Sequence, residues 1–198
     1  MPVFGVRHGT PNTRESLEGR GIAKMTDPDE TGFRCAWLID VGYVVKASDG
    51  RFKLDYVAAR RLLEGRFGRT RAFLFNGFDP QYGIPPGLQS FYDAMRRQGM
   101  EIRLHPMESG PPGENRQRRV DVDFSAHMIW QASLPEIEAI VITTGDQDFV
   151  PAVELAKAEF GKTVVLFTYE SFVHHDLAAA VDDWMLFETY KDQVVKRS

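Results

Sequence analysis

Two aspartates separated by one residue follow the most apolar run of the sequence. Asp146 and Asp148 lie in the turn after the run 139–144, and Asp40 ends a second apolar run, 36–39. Short apolar runs of this kind are typical of strands buried in a parallel sheet. Ligands of such sheets bind outside the carboxyl ends of the strands. We therefore expect these three carboxylates at the same edge of one sheet.

Two further aspartates, Asp121 and Asp123, open a predicted helix after a segment rich in proline, glycine and charge. Carboxylates gathered in one cleft repel one another and lose hydration, and a divalent cation relieves both effects. A ligand set made only of oxygen atoms favours Mg²⁺ or Mn²⁺ over zinc. Such an ion can activate water and stabilise charge on a phosphate, so the pattern favours phosphodiester hydrolysis.

Each of these aspartates also has a simpler interpretation. Aspartate is common in turns and at helix N-caps, and for any one of them alone capping is the more frequent role. The spacing in Gly145–Phe149 is more specific, because it sets two carboxylates on a tight turn between a buried strand and a helix. There their charges also favour the helix N-terminus.

Strands and helices alternate from residue 36 onward, which predicts an α/β fold with a mostly parallel sheet and helices on both faces. Apolar runs predict strands at 36–39, 71–76, 101–105, 139–144, 162–168 and 185–187. Apolar residues at helical spacing predict helices at 54–65, 88–98, 120–132, 150–160 and 171–181. We predict one domain, 34–190, with an N-terminal extension, 1–33, and a C-terminal tail, 191–198.

Composition limits the class of protein. Cys35 is the single cysteine, which excludes an intramolecular disulfide and a cysteine-rich zinc site and fits a cytoplasmic setting. No run of about 18 apolar residues is present, so we expect no membrane-spanning helix. The net charge of -4 does not indicate a nucleic-acid binder. It does not exclude one, because an acidic metal site lowers the total while a local basic patch binds phosphate.

Several segments together match one known family. The strongest match is 143–151, and it continues through 153–156 and 161–165. Further matching segments are Trp37–Asp40, Arg118–Asp123, and Leu177–Asp182 with Trp184. In these segments the chain resembles NYN domains, which are PIN-like nucleases, and within them the LabA-like group, also called DUF88. The resemblance leaves out only residues 1 to about 33.

The resemblance implies a PIN-like, three-layer α/β/α sandwich and a ribonuclease that depends on Mg²⁺ or Mn²⁺. It implies an acidic site made of the residues that match the family's acidic positions, namely Asp40, Asp121, Asp146 and Asp148. Asp123 is an additional candidate metal ligand. RNA is the implied partner, and the sequence does not exclude DNA. Residues 1–33 could cover the active edge or form a homodimer.

Two positions depart from the family pattern. Tyr43 stands where the family usually has asparagine, and His127 stands where it often has aspartate. Asparagine at this position helps to hold the first aspartate or the phosphate, and Tyr43 could still donate one hydrogen bond there. His127 could carry a proton, bind a metal, or be a polar residue on a helix. These departures motivate an alternative function, a catalytically weak or inactive NYN-domain protein that binds RNA or a protein partner.

Other residues are candidates for contact with the nucleic acid. Arginine suits phosphate through its forked donors, although a solvated loop or helix face explains the arginines equally well. The substrate-binding candidates are Tyr43, Arg116, Arg118, Arg119, Thr144 and His127. Tyr82, Phe91 and Tyr92 could stack on bases, with Phe91 better placed in the core.

The segment Arg7–Thr10 resembles the Arg-His-Gly motif of histidine phosphatases. In such enzymes a histidine becomes phosphorylated and arginines bind phosphate. His174 and His175 are the only pair that could supply the second histidine. We do not favour this interpretation, because it leaves the Gly145–Phe149 turn unexplained.

Overall fold

Six parallel strands form one sheet in the computed structural model of the chain, which describes residues 32–48, 51–107 and 118–195. The strands are β1 (Cys35–Asp40), β2 (Thr70–Phe78), β3 (Glu101–Pro106), β4 (Ala139–Thr143), β5 (Thr163–Thr168) and β6 (Asp183–Leu186). Their order across the sheet is β3-β2-β1-β4-β5-β6. All the described residues belong to one unit, Gly32–Ser198.

Helices cover both faces of the sheet. They are α1 (Val41–Ala47), α2 (Tyr56–Phe67), α3 (Pro86–Arg97), α4 (Arg118–Ser133), α5 (Val150–Ala158), α6 (His175–Ala180) and α7 (Lys191–Val194). Successive side chains of a strand point to opposite faces. Trp37 and Ile39 of β1 therefore pack under α1, α2, α3 and α7, whereas Ala36 and Leu38 pack under α4, α5 and α6. The three-layer α/β/α sandwich expected from the sequence is confirmed.

The strand order reverses between β1 and β4. The chain leaves β1 into α1 in one helical layer, and it leaves β4 towards α5 in the other layer. Connections that diverge in this way open a crevice at the carboxyl ends of the two strands. The last register pair of the two strands is Ile39 with Thr143. The segments that carry Asp40 and Asp146 therefore begin side by side at this crevice.

The predicted strands are all present, with ends that differ by one or two residues, and the sheet is parallel throughout. Helix α1 was not predicted. The predicted helix 171–181 begins only at His175, because the chain before it forms a loop that packs on the turn after β4. None of the helices in the described ranges is long and apolar enough to cross a membrane.

The segment predicted as a C-terminal tail starts with regular structure. Lys191–Val194 is helix α7. The Val194 side chain is fully buried in the core on the face of the sheet that α2 covers. The carbonyl oxygen of Val194 accepts a hydrogen bond of 2.7 Å from the backbone N–H of Asp55. These contacts tie residues 191–195 to the domain. The domain limits at 34 and 190 stay a prediction.

Candidate active site

Asp40 is the last residue of β1 and the N-cap of α1. Its Oδ1 accepts the backbone N–H of Tyr43 at 3.0 Å. The backbone N–H of Gly42 and the hydroxyl of Thr144 also donate to this carboxylate. Burial raises the pKa of Asp40 above its usual value, and the nearby charge of Asp146 acts in the same direction. The capping role and the strand-end position thus fix one half-buried carboxylate at the crevice.

Asp146 is the N-cap of the short 3-10 turn Gln147–Phe149 that follows β4. Its Oδ1 accepts the backbone N–H of Asp148 at 2.9 Å, and both carboxylates are exposed. The buried ring of Phe149, 4.4 Å from that of Phe124, anchors the turn to α4. The simpler interpretation therefore holds for Asp40 and Asp146, since both are caps. Each cap bond occupies one lone-pair site of one oxygen, which leaves the carboxylate able to bind a cation.

Asp121 joins this group from the first turn of α4. Its pKa is raised from 3.8 to about 6, mainly by burial and then by the charges of the other three carboxylates. Those three carboxylates are Asp40, Asp146 and Asp148. β1, the turn after β4 and α4 thus bring four aspartates close enough for three of the charges to raise the pKa of Asp121.

The four carboxylates suit a hydrated divalent cation. Within the described ranges, no three of these aspartates place ligand oxygens within 4.8 Å of one another. Mg²⁺ keeps several of its waters and is commonly held by one or two carboxylates, so this spacing is compatible with it. A cation would also relieve the repulsion that raises the pKa of Asp121. The donor set therefore fits Mg²⁺ or Mn²⁺.

Two clefts meet at the turn Gly145–Phe149, which is called the aspartate turn. The first, with a volume of about 420 Å³, is called the Asp40 cleft, and it contains Asp40 and Asp146. The second, with a volume of about 1030 Å³, is called the Asp121 cleft, and it contains Asp121 and Asp148. Gln147 lines both of them. The four carboxylates thus lie in two clefts that share Gln147 as a lining residue.

Asp123 is not placed with the other four. Its carboxylate accepts hydrogen bonds of 3.0 and 3.1 Å from Arg103 and lies 2.7 Å from Nε2 of His105. Nδ1 of His127 lies 3.0 Å from the same carboxylate. Although burial opposes the change, these partners hold the pKa of Asp123 below its usual value. The structure gives Asp123 an ion-pair role, because β3 supplies partners that the sequence could not indicate, and its role as a metal ligand stays a prediction.

Of the two proposed substrate contacts, Tyr43 lines the Asp40 cleft and His127 lines neither cleft. The Tyr43 hydroxyl hydrogen-bonds to that of Thr168 and donates to the carbonyl oxygen of Ser171 at 3.2 Å. The His127 ring packs edge-on against Phe73 and Phe75 of β2. Tyr43 therefore holds a loop in place, and His127 both packs on β2 and lies beside the Asp123 carboxylate.

Thr144 is fully buried and acts on the aspartates. Its hydroxyl hydrogen-bonds to Asp40 and accepts the backbone N–H of Asp146 at 3.4 Å. It links the ends of β1 and β4 across the crevice. Thr144 is therefore a positioning residue for two carboxylates, and it also lines the Asp40 cleft, where its role as a substrate contact stays a prediction.

The remaining predicted contacts are only partly described. Arg116 and Arg7–Thr10 lie outside the described residues, and Arg118 and Arg119 begin α4, where Arg119 is exposed. Of the three aromatic candidates, Tyr92 is fully buried and Phe91 packs on Tyr56, so neither can stack on a base. Tyr82 is exposed.

Three residues of the Asp40 cleft were not predicted. Lys46 lies on α1, which the sequence analysis missed, and Phe172 was placed inside a predicted helix. His174 was considered only as a partner for Arg7–Thr10. Its ligand atom and those of His175 and Asp176 lie within 4.8 Å of one another. The only signal for these residues was their position shortly after the ends of β1 and β5.

A family model decides the relationship of this chain to known proteins. The model of the NYN domain matches residues 34–187. The chain belongs to the NYN domain family. That match spans the whole sheet and all four carboxylates. NYN domains have the PIN-like nuclease fold, are generally nucleases and usually use divalent metal ions, which places this NYN domain broadly among the hydrolases.

Solved structures agree with the fold. A protein of unknown function from Vibrio parahaemolyticus RIMD 2210633 has 20% sequence identity and a TM-score of 0.67, with 81% of this chain and 95% of that chain covered. The MurG protein of Acinetobacter baumannii has 9% identity and a TM-score of 0.41, with 83% and 47% covered, which is too low to support an argument. No match was found among curated proteins.

Proposed function

We propose that this NYN domain is a ribonuclease that hydrolyses RNA phosphodiester bonds with Mg²⁺ or Mn²⁺. The observation that carries the proposal is the placement of four aspartates around one turn, with Asp40 and Asp146 in the Asp40 cleft and Asp121 and Asp148 in the Asp121 cleft. Carboxylates that perturb one another in a cleft mark a functional site more often than a structural one. Their position where the strand order reverses supports the same conclusion.

Each residue has a distinct part in this account. Asp40 and Asp146 are oriented by their cap hydrogen bonds, and Thr144 fixes the distance between their segments. Asp121 and Asp148 approach from the Asp121 cleft. These four side chains would hold the cation and orient the phosphate beside it. When bound, Mg²⁺ or Mn²⁺ supplies Lewis-acid activation of water and stabilises charge on the phosphate.

The positions of Tyr43 and His127 favour an active enzyme over an inactive binding protein. Both residues depart from the family pattern, and both have hydrogen-bond partners other than the four carboxylates. The departures therefore leave the acidic group complete. Tyr43 lines the Asp40 cleft together with Asp40 and Asp146 and displaces neither carboxylate from it.

The test is cleavage of labelled single-stranded RNA, structured RNA and DNA with Mg²⁺, Mn²⁺ or EDTA. Asp146→Asn is the informative variant, because asparagine caps a helix about as well as aspartate but carries no charge. We expect metal-dependent cutting of RNA by the wild type and a loss of at least about 100-fold in the variant, with the melting temperature preserved. Absence of cutting by the pure wild type with either metal would contradict the proposal and leave the binding protein as the function.

A further inference from the structure

Phe172 combines exposure with an unfavourable backbone. It lies in the loop between β5 and α6, its side chain is 57% exposed, and its φ is 66°. Among the described residues it is the only one other than glycine with a positive φ. A bulky residue in the left-handed region is strained, and such strain persists only where the surrounding structure imposes it.

The loop is held against the aspartate turn by three contacts. The backbone N–H of His174 donates to the carbonyl oxygen of Gly145 at 2.9 Å, and Tyr43 donates to Ser171 from the other side. The carbonyl oxygen of Phe172 packs so closely on Gly145 that a Cβ there would lie 1.8 Å from it. These contacts impose the backbone of Phe172 and leave its ring directed away from the core.

The ring lies in the Asp40 cleft beside a cation. Phe172 lines this cleft together with Asp40 and Asp146, and the Lys46 ammonium lies 5.5 Å from the ring centroid. An exposed aromatic face next to a positive charge suits a nucleotide, whose base stacks and whose phosphate binds the ammonium. The neighbouring carboxylates would repel a phosphate that no cation compensates. Lys46 is therefore placed to offset them.

We propose that Phe172 stacks on an unpaired base of the nucleic acid and that Lys46 binds the adjoining phosphate. This inference rests on the proposed nuclease function and specifies its substrate as a single strand. A duplex covers the faces of its bases, so a stacking side chain gains nothing from paired nucleotides. Every base has a stacking face, and the subsite is therefore tolerant of sequence.

The experiment measures binding without catalysis. Dissociation constants of fluorescein-labelled single-stranded RNA, and of the same sequence as a duplex, are determined by anisotropy in EDTA. The variants are Phe172→Ala and Phe172→Trp. Tyr82→Ala is the matched control, since Tyr82 is 79% exposed and lines neither cleft.

We expect Phe172→Ala to weaken binding of the single strand by about fivefold to 100-fold and binding of the duplex by less than about twofold. Phe172→Trp should restore or improve binding of the single strand, and Tyr82→Ala should leave it unchanged. An abasic site scanned along the strand should weaken wild-type binding most at one position, and that penalty should disappear in Phe172→Ala. A loss of that kind cannot arise from a merely structural role of the ring.

Equal affinity of the wild type and Phe172→Ala for the single strand would overturn the stacking proposal. So would an abasic penalty that Tyr82→Ala removes and Phe172→Ala keeps. Neither result bears on the nuclease proposal, which depends on metal-dependent cutting that is lost in Asp146→Asn. Metal-dependent cutting together with unchanged binding in Phe172→Ala would thus reject the subsite alone.

Discussion

Asp121 and Asp123 are two residues apart on the first turns of α4, yet their surroundings are opposite. Burial and three other carboxylates raise the pKa of Asp121 to about 6. Arg103, His105 and His127 surround Asp123 and hold its pKa below the usual value. One helix therefore presents one carboxylate to an acidic cleft and another to a basic cluster.

The difference shows how a structural carboxylate can be told from a candidate ligand. The basic partners of Asp123 neutralise its charge, so the site is complete without any further ion. The neighbours of Asp121 add to its charge, so a bound cation lowers the free energy of the whole group. In the sequence, Asp121 and Asp123 look alike. Only the partners that other segments of the chain supply distinguish their roles.

The largest expected effect is on cleavage. Asp121→Asn should lower kcat/KM for RNA by at least about 100-fold, because it removes a carboxylate from the metal site. Asp123→Asn should retain activity within about threefold at a temperature where it is folded. Rates of cleavage at saturating Mn²⁺ measure both variants. Equal losses in the two variants would erase the proposed distinction between them.

The second effect is on stability, and here we expect the larger loss from substitution of Asp123 and not from substitution of Asp121. Asp123→Ala should lower the free energy of unfolding by about 2 kcal/mol, since it leaves three basic side chains without their common partner. Asp121→Ala should not destabilise the protein in EDTA, because it relieves repulsion. Urea unfolding at pH 7 tests both. A larger loss for Asp121→Ala than for Asp123→Ala would contradict the assignment.

The third effect is the pH dependence of stability without metal. The pKa of Asp121 is about 6 in the folded protein and 3.8 in an unperturbed aspartate, so the folded state binds more protons between these pH values. Its contribution to the free energy of unfolding therefore falls as pH rises from about 4 to 6, by roughly 1 to 2 kcal/mol after solvent screening. The difference in stability between Asp121→Asn and the wild type should grow over this window. A constant difference from pH 4 to 7 would refute the raised pKa.

The smallest effect is a change of one pKa. Removing the neighbouring charge in Asp146→Asn should shift the pKa of Asp121 downwards and leave that of Asp123 in place. Carboxyl ¹³C chemical shifts measured across a pH titration report both groups. An unchanged pKa of Asp121 in this variant would mean that Asp121 and Asp146 are electrostatically independent.

The fold was largely predictable from the sequence because it depends on local patterns. Runs such as 139–143 are buried on both faces and are typical of a strand in the interior of a parallel sheet. Helix α1 was not predicted because its seven residues, Val41–Ala47, are too few to show apolar positions at helical spacing. The loop before α6 was not predicted, because its course depends on contacts with Gly145, which lies far away in sequence.

The site was predictable in part for the same reason. Asp40, Asp146 and Asp148 follow strand ends, and parallel strands bring such ends together without further information. The sequence could not indicate the partners of Asp123, Tyr43 and His127, because those partners, such as Arg103 and Ser171, come from distant segments. Lys46 and Phe172 had no motif, and only the folded chain places them in the Asp40 cleft.

The most direct test of the central claim is Mn²⁺ binding measured by isothermal titration calorimetry at pH 7.5, without nucleic acid. The wild type, Asp121→Asn and Asp123→Asn are compared after circular dichroism confirms that each is folded. The account predicts that Asp121→Asn weakens Mn²⁺ binding by at least about tenfold, whereas Asp123→Asn stays within about twofold of the wild type. Equal Mn²⁺ affinity in the wild type and Asp121→Asn, or loss of binding only in Asp123→Asn, would contradict it.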